Sequence, residues 1–111
     1  MTPEDVVRAN FDAYVRQDRA AAEALVGDEL TFTSPQDDHI DRDAFFERCF
    51  PTADRVSRQE LLHVVDTGSG DVFIMYEYEL KTGGTHRNTE LITVVDGRIV
   101  EIQVFFGGAV N

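Results

Sequence analysis

The sequence predicts an α+β domain in which helices come first and pack on one face of a curved antiparallel sheet. Three observations carry this. Apolar residues near the N-terminus recur at helical spacing. After Pro51 the chain turns to long runs rich in Val, Ile, Leu, Tyr, Phe and Thr. Those runs are separated by the glycine-containing turns "DTGSGD", "KTGGTH" and "VVDGRI". The 111 residues suit one domain covering 1–111, with 42% hydrophobic and 28% charged residues giving enough apolar content to fold.

The first helix is written in "TPEDVVRANFDAYVRQD". Thr2 is the cap, Pro3 suits the first helical position, and Glu4 and Asp5 complement the helix dipole. Val7, Phe11, Tyr14 and Val15 form its apolar stripe. Asp18 restarts a short helix over "RAAAEALV", with Gly27 as its stop. "ELTFTS" alternates as a strand does, and Pro35 ends it. Asp41 then caps a third helix, "RDAFFERCF", with Ile40 and Phe45 at the hydrophobic-staple positions. Residues 55–66, 72–82, 85–95 and 98–106 read as a four-stranded meander.

Asp37, Asp38 and His39 lie ahead of the third helix and have two readings. They form an acid/base cluster beside a pocket, or the acids are turn and cap residues at a helix N-terminus. The second reading accounts for the acids and leaves His39 unexplained.

Charge narrows the choice of partners. There are 21 Asp plus Glu against 10 Lys plus Arg, a formal charge of −11. Such a field repels phosphate backbones and anionic lipid surfaces, so neither nucleic acid nor membrane is expected as a partner. The lone Cys49 excludes an intramolecular disulfide and, set among phenylalanines in "AFFERCF", reads as a buried inert thiol. "MTPEDVV" has no signal-peptide character and no apolar run reaches the ~20 residues of a membrane span, so a cytoplasmic location is expected. His39, His63 and His86 show no ligand spacing, and no metal or cofactor is expected.

Hairpin geometry sorts the meander into faces. A two-residue turn at Asp96-Gly97 pairs Val95 with Arg98 and Leu91 with Ile102. A second two-residue turn at Gly83-Gly84 pairs Leu80 with Arg87 and Tyr78 with Thr89. Val72, Ile74, Tyr76, Tyr78, Leu80, Thr89, Leu91, Ile102 and Val104 then share the helix-covered face. A four-residue turn at Thr67–Gly70 adds Leu61, His63 and Val65 to it. Phe73, Met75, Ile92, Val94 and Ile99 fall on the opposite face with Asn88, Glu90 and Glu77, an apolar surface that suits a homodimer interface.

The whole layout resembles the nuclear transport factor 2-like superfamily, and within it the small SnoaL-like and ketosteroid isomerase-like proteins. The resemblance is carried by "TPEDVVRANFDAYVRQD", "DELTFTSP", "RDAFFERCFP" and "VVDGRIVEIQVFFG". It implies a cone-shaped α+β barrel, commonly dimeric, with a pocket between helices and sheet. It also implies places for a carboxylate base, an oxyanion-binding tyrosine and a protonated acid. Here those places hold Ser34, Phe11 and Leu91, so steroid isomerase chemistry does not carry over.

The residues left to work in the pocket are Tyr14, His63, Tyr76 and Tyr78, joined by Asp38 and His39 from the loop. His63 or His39 is the candidate acid/base, with the tyrosines as hydrogen-bond donors. The expected function is binding of a small apolar molecule, with cofactor-free isomerisation, cyclisation or dehydration of a carbonyl compound as the implied chemistry. The competing expectation is a non-catalytic dimeric interaction or scaffold module whose cone is plugged by its own side chains.

Overall fold

Helix α1, Pro3–Arg16, begins as its sequence dictates. The Thr2 hydroxyl accepts from Asp5 N at 3.1 Å, and the Asp5 carboxylate accepts from Thr2 N at 3.0 Å, which closes a capping box. Asp18 caps α2, Arg19–Leu25. The glycine stop is not used: the chain passes directly into β1, Val26–Ser34, and Gly27 lies inside that strand. The computed structural model, which describes residues 1–110, continues with β2, Asp37–Ile40, and α3, Arg42–Arg48, capped by Asp41 at 2.9 Å to Ala44 N. A 3-10 turn, Phe50–Arg55, leads into β3, Val56–Asp66. Strands β4, Asp71–Leu80, β5, Thr85–Val95, and β6, Arg98–Val110, complete the chain.

The sheet has six strands in the order β2-β1-β6-β5-β4-β3. It is mixed rather than wholly antiparallel, because β1 runs parallel to β6, and it is not closed into a barrel. The segment expected as a loop at residues 37–40 is a short edge strand, with Phe32 opposite Ile40 and Ser34 opposite Asp37. Phe45, Phe46 and Phe50 pack as a ring cluster under the sheet, with Phe46 only 1% exposed. The guanidinium groups of Arg19 and Arg42 lie over Phe46 at 5.3 and 5.1 Å from its centroid.

Which side chains face the helices depends on register, and here the structure corrects the sequence reading. The Asp96-Gly97 turn is as expected, with φ of 52° and 79° and Val95 opposite Arg98. The preceding turn is longer than Gly83-Gly84 alone: Glu79 pairs with Thr85, so Tyr78 lies opposite His86 rather than Thr89. That is a slip of three residues, and an odd slip turns every side chain of β5 over. A bulge before Glu101 then restores β6, placing Ile92 opposite Ile102 and Glu90 opposite Val104. Asn88, Ile92 and Val94 are therefore buried under the helices. Leu91 and Thr89 face outward, in line with Phe73 and Met75 across β4. Ile99 is also inside, at 0% exposure, and not on the outer face.

Candidate functional site

Helices α1 and α3 bridge the concave face without filling it, and a cavity of about 620 Å³ remains between them and β4–β6. Its walls include rings from several elements: Phe11 and Tyr14 from α1, Phe32 from β1, Phe45 and Phe50 from the α3 region, Tyr76 and Tyr78 from β4. Polar side chains are interspersed among them, from Asn10 on α1 and Gln59 on β3 to Asp37, Asn88 and Glu90, so the space offers both apolar contact and hydrogen-bonding partners.

One polar group centres on Tyr76, half-way along β4. Its neighbours across the sheet are Asn88, directly opposite, and Glu90, opposite Ile74. The Tyr76 hydroxyl donates to Glu90 Oε2 at 2.7 Å, and Asn88 Nδ2 donates to the same hydroxyl at 3.2 Å. Desolvation on the cavity wall pushes the Glu90 carboxyl up from 4.5 to about 7, and the Tyr76 hydrogen bond opposes that rise without cancelling it. The Tyr76 phenol is itself held well above its ordinary value, first by burial and then by the charge of Glu90. Asn88 Oδ1 is buried with no partner. An unmatched buried acceptor costs about 1–3 kcal/mol, so its presence beside this carboxyl needs a reason.

A second polar group sits where β1 meets β2. Ser34 Oγ donates to Asp37 Oδ2 at 3.2 Å, Cys49 Sγ donates to the same oxygen at 3.8 Å, and Arg48 lies 3.6 Å from Asp37 Oδ1. Burial, reinforced by Asp37, raises the Cys49 thiol to about 12, so it is inert as the sequence suggested. Tyr14 is committed too. Thr52 gives its only hydroxyl proton to Cys49 O at 2.7 Å, so the 2.6 Å contact between Thr52 and Tyr14 has the phenol as donor.

Of the residues singled out from sequence, Phe11, Tyr14, Ser34, Tyr76 and Tyr78 line the cavity together. The others do not. His63 is exposed and pairs with Met75 on the outer face, because a bulge beside Leu62 shifts β3 by one residue. His39 sits on the edge strand at φ 50°, its ring bonded to Asp38 at 2.5 Å, with both side chains mostly in solvent. Leu91 is turned outward by the β5 slip, and Glu90 takes its place facing in. The sequence register put Asn88 and Glu90 on the outer face, with Glu90 one residue away from the place of the acid that the resemblance implies, and so left both out of the site. The signal was the alternation Asn88-x-Glu90-x-Ile92-x-Val94, a row that is apolar at one end and polar at the other. Among the described residues, no group of three or more His, Cys, Asp or Glu is placed to hold a metal ion.

No family profile matches this chain, and no curated relative does. Solved structures do. A protein from Kribbella flavida DSM 17836 superposes with a TM-score of 0.85 at 22% identity, covering 92% of this chain and 84% of that one. An NTF2-like protein of unknown function from Cytophaga hutchinsonii ATCC 33406 gives 0.76 at 21% identity, over 96% and 90% of the two chains. A protein provisionally described as a polyketide cyclase, from Pseudomonas putida KT2440, gives 0.72 at 17% identity, over 96% and 92%. With its helices laid across the concave face of a six-stranded mixed sheet, the chain has the nuclear transport factor 2-like fold.

Proposed function

We propose that this is a SnoaL-like protein that binds a small, largely apolar, uncharged carbonyl compound in its cone, with Glu90 as the working acid/base. The observation that carries this is a half-buried carboxyl, raised to about 7 by desolvation and bonded to Tyr76, on the wall of the cavity. Such a group is ionised in part of the population near neutral pH and protonated in the rest, so it can remove a proton beside a carbonyl and return it. Isomerisation, cyclisation and dehydration all need that step and no cofactor. The likeness to the protein described as a polyketide cyclase supports the reading at the level of fold.

Exchange at the α-carbon tests it directly. The Glu90 carboxylate takes a C–H proton, the C–H electron pair becomes the enolate, and deuterium returns from solvent. 1-Tetralone in D₂O, followed by proton NMR, should exchange faster with the protein than in matched buffer. Glu90→Gln should bring the rate back to the buffer value. Exchange equal to buffer with the wild-type protein sinks the catalytic role.

The outer sheet face favours a second copy as partner. Val65, Phe73 and Phe105 are exposed there at 55, 41 and 53%, beside Met75 and Leu91. Glu77, with Arg58 at 2.9 Å and Arg87 at 3.0 Å, forms a polar border to this patch. Sedimentation at micromolar concentration should give twice the chain mass, and a single-chain mass would refute the dimer. A dimer with an empty, inert cone would leave the interaction module as the better reading.

A further inference from the structure

The line Asn88–Tyr76–Glu90 holds a choice that the hydrogen-bond count exposes. Tyr76 has one hydroxyl proton, which can go to the Glu90 carboxylate or to an amide oxygen at Asn88, but not to both. The amide is turned so that Nδ2 meets the phenol at 3.2 Å, and Oδ1 is left buried and unpaired. The opposite orientation would place Oδ1 against the phenol and draw its proton away from Glu90. Receiving a hydrogen bond also polarises a hydroxyl and makes it a better donor.

We propose that Asn88 is a positioning residue for Glu90: its amide compels Tyr76 to donate to Oε2, which supports the carboxylate and leaves Oε1 as the oxygen that meets a ligand. The role rests on the reading of Glu90 as the working group of the cavity. It explains why β5 tolerates an unpaired acceptor at 7% exposure. Asn88 lies directly opposite Tyr76 in the sheet, so the strand pairing itself sets the contact.

Other titratable groups surround the cavity. Tyr14 comes from α1, Arg48 and Cys49 from the end of α3, and Asp37 from β2. Tyr78 and His86, stacked with ring centroids 5.4 Å apart, come from β4 and β5, and Arg55 from the 3-10 turn. Among the described residues, Tyr76 is the one hydrogen-bond partner of the Glu90 carboxyl, and Arg48 is spent on Asp37. The influence of Asn88 on Glu90 must therefore pass through the phenol.

The test is an NMR titration of the Glu90 carboxyl, with carbon-13 in the glutamate side chains and no ligand present. Asn88→Leu should raise the midpoint by up to about one pH unit, since a carboxylate that loses support holds its proton more tightly. Tyr76→Phe should raise it at least as far. In the Tyr76→Phe background, adding Asn88→Leu should change nothing. An unmoved midpoint in Asn88→Leu overturns the proposal, and so does an equal shift with and without the phenol. Asn88→Ala carries the same expectation if the leucine variant does not fold. Failed tetralone exchange with a phenol-dependent shift would remove the chemistry and keep the positioning; successful exchange with no shift would do the reverse.

Discussion

Glu90→Gln is the substitution whose effect on stability can be worked out from the structure. The amide keeps the size of the side chain and an oxygen to accept from Tyr76, but it cannot ionise. In the wild-type protein the folded carboxyl binds its proton near pH 7, against 4.5 for an ordinary glutamate. Folding therefore takes up a proton between those values. The contribution of this group is fully favourable below about pH 4.5 and declines as the pH rises through 7. At about 1.4 kcal/mol per pH unit, the loss reaches up to about 3 kcal/mol at alkaline pH. Gln has no such loss. Urea unfolding of both proteins at intervals from pH 4.5 to 8.5 should give nearly equal stabilities at the acid end. The variant should gain steadily through neutrality, to an advantage of up to about 3 kcal/mol and a Tm higher by on the order of 10 °C. The other carboxylates titrate alike in both proteins and cancel in the difference. A difference that stays constant with pH would refute the placement of Glu90 in a desolvated site.

Other expectations follow from packing and caps. Phe46→Ala removes the ring that joins Phe45, Phe50 and two guanidinium groups, and should cost about 3–5 kcal/mol in chemical denaturation. Asp41→Ala deletes the acceptor for Ala44 N and should cost about 1 kcal/mol, with the loss concentrated in amide-exchange protection of α3. His63→Ala should leave ligand binding and exchange chemistry unchanged, because the side chain lies on the face away from the cavity; a lost activity would contradict the register of β3.

Much of this fold was legible in the sequence because its signals are local. Thr2, Asp18 and Asp41 each mark a helix start through one side chain and a backbone N–H a few residues on, and all three caps are present. The Asp96-Gly97 turn is equally local, needing two residues with positive φ. The site was less legible because it depends on parity carried across several strands. Both faces of the meander are apolar in places, so composition does not choose between them. The longer turn before Thr85, the bulge beside Leu62 and the bulge before Glu101 each change which side chains meet. Together they moved Glu90 and Asn88 in, and Leu91 and His63 out. The parallel pairing of β1 with β6 is a contact between distant segments that no short motif announces.

The claim on which the rest depends is that the cone holds a small molecule, and native mass spectrometry of the freshly purified protein tests it most directly. The account predicts an added mass of a few hundred daltons that denaturation removes, as suits a cavity of about 620 Å³. It also predicts that the released compound carries a carbonyl and no charge. A spectrum with no added mass, from a protein that also takes up none of a panel of neutral cyclic ketones, would contradict it.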